Sequence, residues 1–493
     1  MMKNFKRVIC FLLSVSMFLA LAVSCSEKKD APADESQTTA VTEAADENLN
    51  SLDKRMSVSD GLPADVNFDG EEFLIIVQGE FAYDAGVEEI TGDALKDEIF
   101  NRNQRVSERF NTDVKWINGG DSGTMSNTIR KTVNSDDDVY ELCMAHTIQT
   151  GADITGGIFS DWMNFDYIDL SSPWYPQYAI EACTVNGKLY ALVSDATITS
   201  AELTCCVYFN KDIASDYGIE SGDFYSLVRD KKWTIDKMHE YVKLVYSDVN
   251  GNGKKDSGDT FGNVTMLFYS YNALWAFEQP ICKIENDEIT LTLETEKTVA
   301  ILDRLHDFYY NNEGTSLTGY QASKDRFAAG ESLFLICQFF PALNELRAME
   351  QDYGIIPYPK WDEAQEIHKS VIDGAFDLLV VPVTVPLDQY DRIGITTQGL
   401  SADSWKQVQP VFYDVALKVK GTRDEESVEM IDIILNGRVV DFSWLYSGWN
   451  GFNFIVYDML NAKKGGGEFA SEYQKQVKSK TRVYENLLEF FYK

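Results

Sequence analysis

Four histidines in 493 residues leave little material for general-base chemistry, and His146, His239, His306 and His368 are scattered along the chain. No Gly-x-Ser-x-Gly elbow, His-Glu-x-x-His helix or Gly-x-x-x-x-Gly-Lys loop occurs, so serine-hydrolase, zinc-peptidase and P-loop chemistries have no support. The 8 cysteines include no Cys-x-x-Cys pair, which argues against zinc ribbons and thioredoxin-like redox centres. Cys143, Cys205, Cys206 and Cys337 fall in apolar, strand-like runs and read as small buried hydrophobes, while pairing among the cysteines stays open. Basic charge is scarce as well. The 44 Lys and Arg oppose 78 Asp and Glu, and the resulting net charge of −34 repels phosphate backbones and anionic lipid, so nucleic acid is not an expected partner. Beyond the N-terminus, no apolar run approaches the roughly 20 residues of a bilayer span.

What is present is a globular composition, 44% apolar and 13% aromatic, in a chain long enough for two or three domains. The first residues place Lys3, Lys6 and Arg7 before an apolar run from Val8 to Val23 that ends in small residues. That is the three-part pattern of a signal peptide, over residues 1–24. Ala22-Val23-Ser24-Cys25 resembles the bacterial lipobox, which implies acylation of Cys25. The following stretch, residues 25–65, is rich in Ala, Thr, Ser, Asp and Glu and reads as a flexible acidic tether. Membrane attachment is then by lipid anchor only, on the extracellular face.

From Glu72 short apolar strands alternate with amphipathic helices, the pattern of an α/β protein with largely parallel sheets. Phe73 to Val77 (FLIIV), Val114 to Ile117, Val139 to Met144, Tyr208 to Asn210, Ser332 to Cys337, Gly354 to Ile356 and Leu378 to Val381 read as strands. A helix is expected over Thr91 to Asn111, capped by Asp93 and facing inward through Leu95, Ile99, Val106 and Phe110. After a Gly-rich loop, Thr234 caps a second helix with Met238, Tyr241, Val242 and Val245 inward. Further helices are expected near Leu343 to Met349, Ser404 to Lys418 and Glu425 to Leu435.

The sharpest local motif runs from Asp248 to Asp259. Asp248, Asn250, Asn252, Asp256 and Asp259 put oxygen donors at loop positions 1, 3, 5, 9 and 12, with Gly253 at position 6 and the Lys254 carbonyl at position 7. This spacing wraps six oxygens around one point, as calcium requires, and a structural calcium site is expected. Asp at position 12 is shorter than the usual Glu and lowers the expected affinity.

GDALKDEIFNRNQRVSERFNTDVKW (Gly92 to Trp116), NGKLYALVSD (Asn186 to Asp195), VYFNKDIASDYGI (Val207 to Ile219) and KKWTIDKMHEYVKLV (Lys231 to Val245) follow one another in order. FAAGESLFLIC (Phe327 to Cys337) and DYGIIPYPKWDE (Asp352 to Glu363) come after them. In these segments the chain resembles the extracellular solute-binding proteins of bacterial ABC importers, specifically the sugar-binding group. The resemblance covers nearly all of the chain after the tether. It implies a two-lobed periplasmic-binding-protein-like fold, with interleaved lobes joined by crossing strands and closing over a ligand. Lobe 1 is expected over residues 66–200 and 340–400, lobe 2 over 201–339 and 401–493. It also implies a monomer that hands its ligand to the transmembrane subunits of an ABC permease.

A carbohydrate cleft combines aromatic faces for the C–H surface of the sugar with polar groups for its hydroxyls. Candidates at strand ends and crossings are His146 and Gln149, in a loop after the third strand, Asp195 after the first crossing, and Gln338 and Phe340 after the second. Tyr446, Trp449 and Asn450 belong to the densest aromatic cluster in a loop-like setting, DFSWLYSGWNGFNF. A binding protein rather than an enzyme is expected. The rival readings are a lipid-anchored glycoside hydrolase, for which paired carboxylates abound, and a cell-surface adhesion protein.

Overall fold

The computed structural model describes residues 52–285, 288–417, 425–446 and 450–492. The signal segment, Cys25, most of the tether and Trp449 lie outside them.

Thirteen strands are described: β1 (Glu71–Val77), β2 (Thr112–Asn118), β3 (Leu142–His146), β4 (Cys205–Asn210), β5 (Phe261–Thr265), β6 (Cys282–Glu285), β7 (Glu288–Leu291), β8 (Thr315–Leu317), β9 (Ser332–Gln338), β10 (Tyr353–Pro357), β11 (Ser370–Val371), β12 (Asp377–Val380) and β13 (Arg438–Val439). They form two main sheets. The first has the order β12-β3-β1-β2, with β1 parallel to β2 and β3, and β12 antiparallel to β3. The second has the order β10-β4-β9-β5-β8, with β5 parallel to β8 and β9, and β4 antiparallel to β9 and β10. Every residue of β4, β9 and β10 is buried, which is why these strands read as continuous apolar runs rather than alternating ones.

Helix Ala94–Phe110 shows how local signals and packing agree. The Asp93 carboxylate accepts from Leu95 N and Lys96 N, and Asn111 ends the helix at φ 46° with its N–H on Ser107 O. Leu95, Ile99, Val106 and Phe110 are buried, and burying one such side chain contributes about 1.5–3 kcal/mol. Helix Ile235–Val245 is capped by Thr234 as its sequence implies and rides on β5. The contact is so close that a Cβ at Gly262 would fall 2.1 Å from Val242 O.

Several expectations are corrected. Residues 147–155 form a helix rather than a loop, and Gly151 lets it press on helix Phe442–Leu445, since a Cβ there would fall 1.9 Å from Leu445 O. The stretch between Asn210 and Trp233 holds two helices, Lys211–Asp216 and Ser221–Arg229, each too short to print a clear helical period. Around Leu343 to Met349 there is only a helical turn, Phe340–Leu343, and a 3-10 turn, Glu345–Ala348. A helix begins at Tyr390, well before Ser404, and continues with a π-helical turn to Leu417. Its first part is buried on all sides, so polar residues inside it blur the amphipathic pattern: Gln398 accepts from Trp174 Nε1 at 3.2 Å and from Tyr175 OH at 2.8 Å. The C-terminal helix Phe469–Tyr492 had no expectation.

Packing onto lobe 1 already begins before residue 66. Helix Leu52–Ser57 is held by Arg55 Nη1 on Trp405 O at 2.8 Å, and Asp60 pairs with Arg109, so residues 52–60, expected within the tether, pack on the folded body. The lobe boundaries shift as well. β10 pairs with β4 in the second sheet, although residues 340–400 were assigned to lobe 1. The helices from Tyr390 to Leu417 pack on helix Ala94–Phe110 beside the first sheet, although residues 401–493 were assigned to lobe 2. The six cysteines from Cys143 to Cys337 are all buried and free.

The sheets are joined where three segments run side by side. Thr204 bridges Ile372, Asp373 N donates to Leu203 O at 2.9 Å, and Phe339 N donates to Thr204 O at 3.2 Å. The chain crosses between the sheets at Leu203–Thr204 and again at Ile372–Asp373, where the two crossings pair with each other, and Phe339 at the end of β9 packs against the first of them.

Candidate functional site

In open α/β sheets, loops at the carboxyl ends of parallel strands form the ligand crevice. Here β1 runs into the 3-10 turn Gly79–Asp84, which presents Glu80 and Phe81. β5 runs into Met266 and the turn Leu267–Asn272, presenting Phe268 and Tyr269, while Tyr320 follows β8 at the start of helix Tyr320–Ala328. β9 ends in Gln338, followed by Phe340. With Leu203 from the first crossing and Asp373 and Ala375 from the second, these residues enclose a cleft of about 210 Å³. Phe81 and Phe340 come from opposite sheets and meet edge-on, ring centroids 6.3 Å apart.

A polar network supports this aromatic lining. Tyr269 OH donates to Gln338 Oε1 at 3.1 Å, and Tyr271 OH and Ala375 N donate to the Asp373 carboxylate at 2.9 and 3.0 Å. Burial raises the Asp373 carboxyl above its ordinary range, and hydrogen bonds from Tyr271, Ala375 and Gln338 oppose that shift. Rings for apolar faces and fixed acceptors for hydroxyls thus occupy one small space.

Of the residues read from sequence, Gln338 and Phe340 line this cleft. His146, Gln149, Asp195 and Tyr446 do not, and Trp449 lies outside the described residues. His146 ends β3 opposite Asp377, and burial lowers its imidazole to about 4, so it is neutral at physiological pH. Gln149 is exposed on helix Thr147–Thr155. Asp195 accepts from Gln409 Nε2 at 3.0 Å, and burial pushes its carboxyl up to about 6 against the charges of Arg438 and Arg55. Tyr446 is buried between Phe442 and Phe491, at centroid distances of 4.5 and 5.3 Å. Asn450 opens helix Asn450–Asn453. Glu80, Phe81, Phe268, Tyr269, Tyr320 and Asp373 were not anticipated; their one local signal is that each follows a strand end or a crossing.

Beside the crossings lies a buried carboxyl cluster. Asp84 accepts from Ile198 N and Thr199 N at 3.1 and 3.3 Å, Glu202 accepts from Tyr83 OH at 2.5 Å, and Asp377 accepts from Gln78 Nε2 at 2.5 Å. Burial first, then the Asp84 charge, pushes Glu202 up to about 8. The unfolded chain releases that proton near 4.5, so between these values folding takes up a proton and stability falls as pH rises. Asp84, raised to about 6 by burial, acts in the same direction. His146 and His368, held neutral down to about 4 rather than 6.5, act oppositely, removing stability as pH falls below 6.5. Thermal melting of wild type is therefore expected to decline from about pH 6 to about pH 8, and Glu202→Gln to flatten that decline. A wild-type slope in the variant would assign the titration to another group.

The Asp248–Asp259 loop closes on itself just before β5, where Ser247 and Thr260 bridge. Asn250 Nδ2 and Asn252 Nδ2 donate to the two Asp256 oxygens at 2.9 and 2.8 Å, and Gly253 N donates to Asp248 Oδ2 at 2.8 Å. Asp248 Oδ1 and Asp259 Oδ1 are buried with no hydrogen-bond partner, and Asp259 is only 1% exposed. Orphaned carboxylate oxygens carry a desolvation cost that a bound cation removes, so the donor set fits calcium. Among the described residues no three Asp, Glu, His or Cys side chains meet as a metal cluster, so the amides and the Lys254 carbonyl would have to complete the shell.

A larger groove, about 840 Å³, follows the outer strand β2 past Trp116, Phe100 and Val87. It draws on one sheet alone, whereas the smaller cleft draws on both sheets and on the crossings.

No family model matches the sequence, and no curated protein matches it. Solved structures do. UgpB of Mycobacterium tuberculosis, in complex with glycerophosphocholine, is 14% identical over 85% of this chain and 99% of its own, with a TM-score of 0.56. An ABC substrate-binding protein of Listeria monocytogenes, in complex with cycloalternan, is 13% identical over 83% of this chain and 99% of its own, at 0.54. The maltose/maltodextrin-binding domain of Bdellovibrio bacteriovorus, bound to maltotriose, is 13% identical over 83% and 100%, also at 0.54. The last two are named for the ligands they bind. Two mixed sheets, parallel strand ends facing one cleft and side-by-side crossings give this chain the two-lobed, periplasmic-binding-protein-like fold.

Proposed function

We propose that the protein is a lipid-anchored extracellular solute receptor that captures a carbohydrate in the cleft between its sheets and delivers it to an ABC permease. The observation that carries this reading is the cleft itself, where aromatic rings from both sheets surround the Gln338 and Asp373 polar network beside the crossing segments. Phe81 and Phe340 touch across the two sheets, so a ligand held between them parts this contact. The cleft volume, about 210 Å³, matches one or two sugar rings better than a long chain. Carbohydrate and glycerophosphocholine ligands in proteins of the same fold support a small polar solute. Among the described residues no helix is long and apolar enough to cross a membrane, and the reading places attachment at Cys25.

In the same reading calcium is a structural ion held by Asp248, Asn250, Asn252, the Lys254 carbonyl, Asp256 and Asp259. It would supply positive charge to the two orphaned carboxylate oxygens and fix the turn that feeds β5, and it would take no direct part in ligand capture.

A thermal-shift screen of sugars, followed by calorimetry and product analysis, tests the proposal. The expected result is stabilisation by a sugar, with no product formed. Turnover of the bound sugar would instead establish a hydrolase, and binding only to macromolecules an adhesion protein. Phe340→Ala is expected to weaken the sugar hit by about 1–3 kcal/mol with melting little changed. Wild-type affinity in that variant would remove Phe340 from the ligand contacts.

A further inference from the structure

The cleft contains two carboxylates and lacks a basic side chain among its lining residues. Glu80 is exposed at the mouth, and Asp373 is half-buried on the second crossing. The donors to Asp373 are a tyrosine hydroxyl, a backbone N–H and the Gln338 amide, which orient the carboxylate without cancelling its charge. Glu80 acts on Asp373 as a like charge, and neither makes an ion pair with a Lys or Arg among the described residues. Lys324, whose ammonium lies 3.8 Å from the centroid of the lining Tyr320 ring, has its charge balanced by Glu345. Farther in, Asp377, Glu202 and Asp84 add carboxyls, with Arg102 and Lys96 the cations that act on them.

Two like charges beside desolvated aromatic rings are an unfavourable arrangement for an empty or neutral-filled cleft. A ligand cation relieves it twice, through the carboxylates and through the faces of the partly exposed rings Phe268 and Phe340. An anionic ligand meets the opposite: repulsion in the cleft and from a chain whose net charge is −34.

Resting on the receptor reading above, we infer that the cleft selects an amine-bearing saccharide, with Glu80 and Asp373 as counter-ions to a protonated amino group. Glu80 is then a specificity-determining residue, since it is exposed and makes no structural bond that its loss would break.

Calorimetry on the folded, full chain tests this at a pH low enough to protonate the amine, with short oligomers of glucosamine, their N-acetylated counterparts, the matching neutral glucose oligomers and a uronic acid oligomer. The glucosamine oligomer is expected to bind at least about tenfold more tightly than its acetylated or neutral counterparts, and the uronic acid oligomer not to bind. In Glu80→Gln the ratio of amine to neutral affinity is expected to fall by about tenfold. Asp373→Asn should change it in the same sense, and Glu80→Gln keeps the test valid if the buried variant misfolds. Neutral oligomers binding as tightly as the amine, or an unchanged ratio in Glu80→Gln, would overturn the inference and leave the receptor reading standing. Failure of every saccharide to bind would overturn both, and tight binding of a non-sugar ammonium such as choline alone would replace the saccharide with another organic cation.

Discussion

Arg102→Ala is expected to lower the unfolding free energy by about 3–5 kcal/mol, measured by urea denaturation at neutral pH. Arg102 lies on helix Ala94–Phe110 and is 1% exposed. Its guanidinium donates to Ala196 O, Ser404 Oγ, Asp84 O, Ala85 O and Asn103 Oδ1, at 2.7 to 3.2 Å. Those partners come from the helix itself, from the turn that feeds the cleft, from the first crossing and from the Tyr390–Leu417 helical stretch. Burial lowers its pKa to about 10, which leaves it charged at neutral pH opposite the Asp84 carboxylate. Truncation therefore leaves carbonyls unsatisfied and a buried carboxylate without its cation, and the second penalty is the larger. Arg102→Lys is expected to rescue little, because an ammonium has three donors and cannot reach in the directions the planar fork does. A loss below about 1 kcal/mol in Arg102→Ala would mean that the Asp84 charge is neutralised another way.

The second large effect is expected from calcium. A ligand that binds only the folded state adds about 4 kcal/mol of stability at a thousand times its dissociation constant, so chelation should lower the melting temperature and calcium should restore it. The loop sits directly before β5, and β5 leads to Met266, Phe268 and Tyr269 of the cleft. Loss of the ion should loosen that strand's entry without removing the cleft. Asp259→Ala deletes a buried oxygen that has no other partner and should make melting independent of calcium. Identical melting with and without calcium would falsify the site.

Much of the fold was legible from short-range pattern. FLIIV and SLFLIC are apolar on both faces because neighbouring strands and covering helices bury both faces of their sheets, and a sequence prints that directly. Asp93 and Thr234 mark helix starts because a capping bond spans only two or three residues. The calcium-like loop is legible for the same reason, since one short segment supplies all its donors. The buried helix from Tyr390 was not, since a helix surrounded by protein has no polar face to set its period.

By itself, then, the sequence determined the α/β class, most strands and caps, and the donor spacing at Asp248–Asp259; it picked out Gln338 and Phe340 as residues at a crossing, whereas they follow β9 within the second sheet. Only the tertiary structure decided that β10 joins the second sheet, that Asp195 and Tyr446 pack inside, and that Glu80, Phe81, Tyr269, Tyr320 and Asp373 meet. Those residues lie up to several hundred positions apart, and what brings them together is strand order and the path of the crossings. Strand order is set by long-range pairing of backbones whose hydrogen bonds carry no side-chain label, so no local pattern records it.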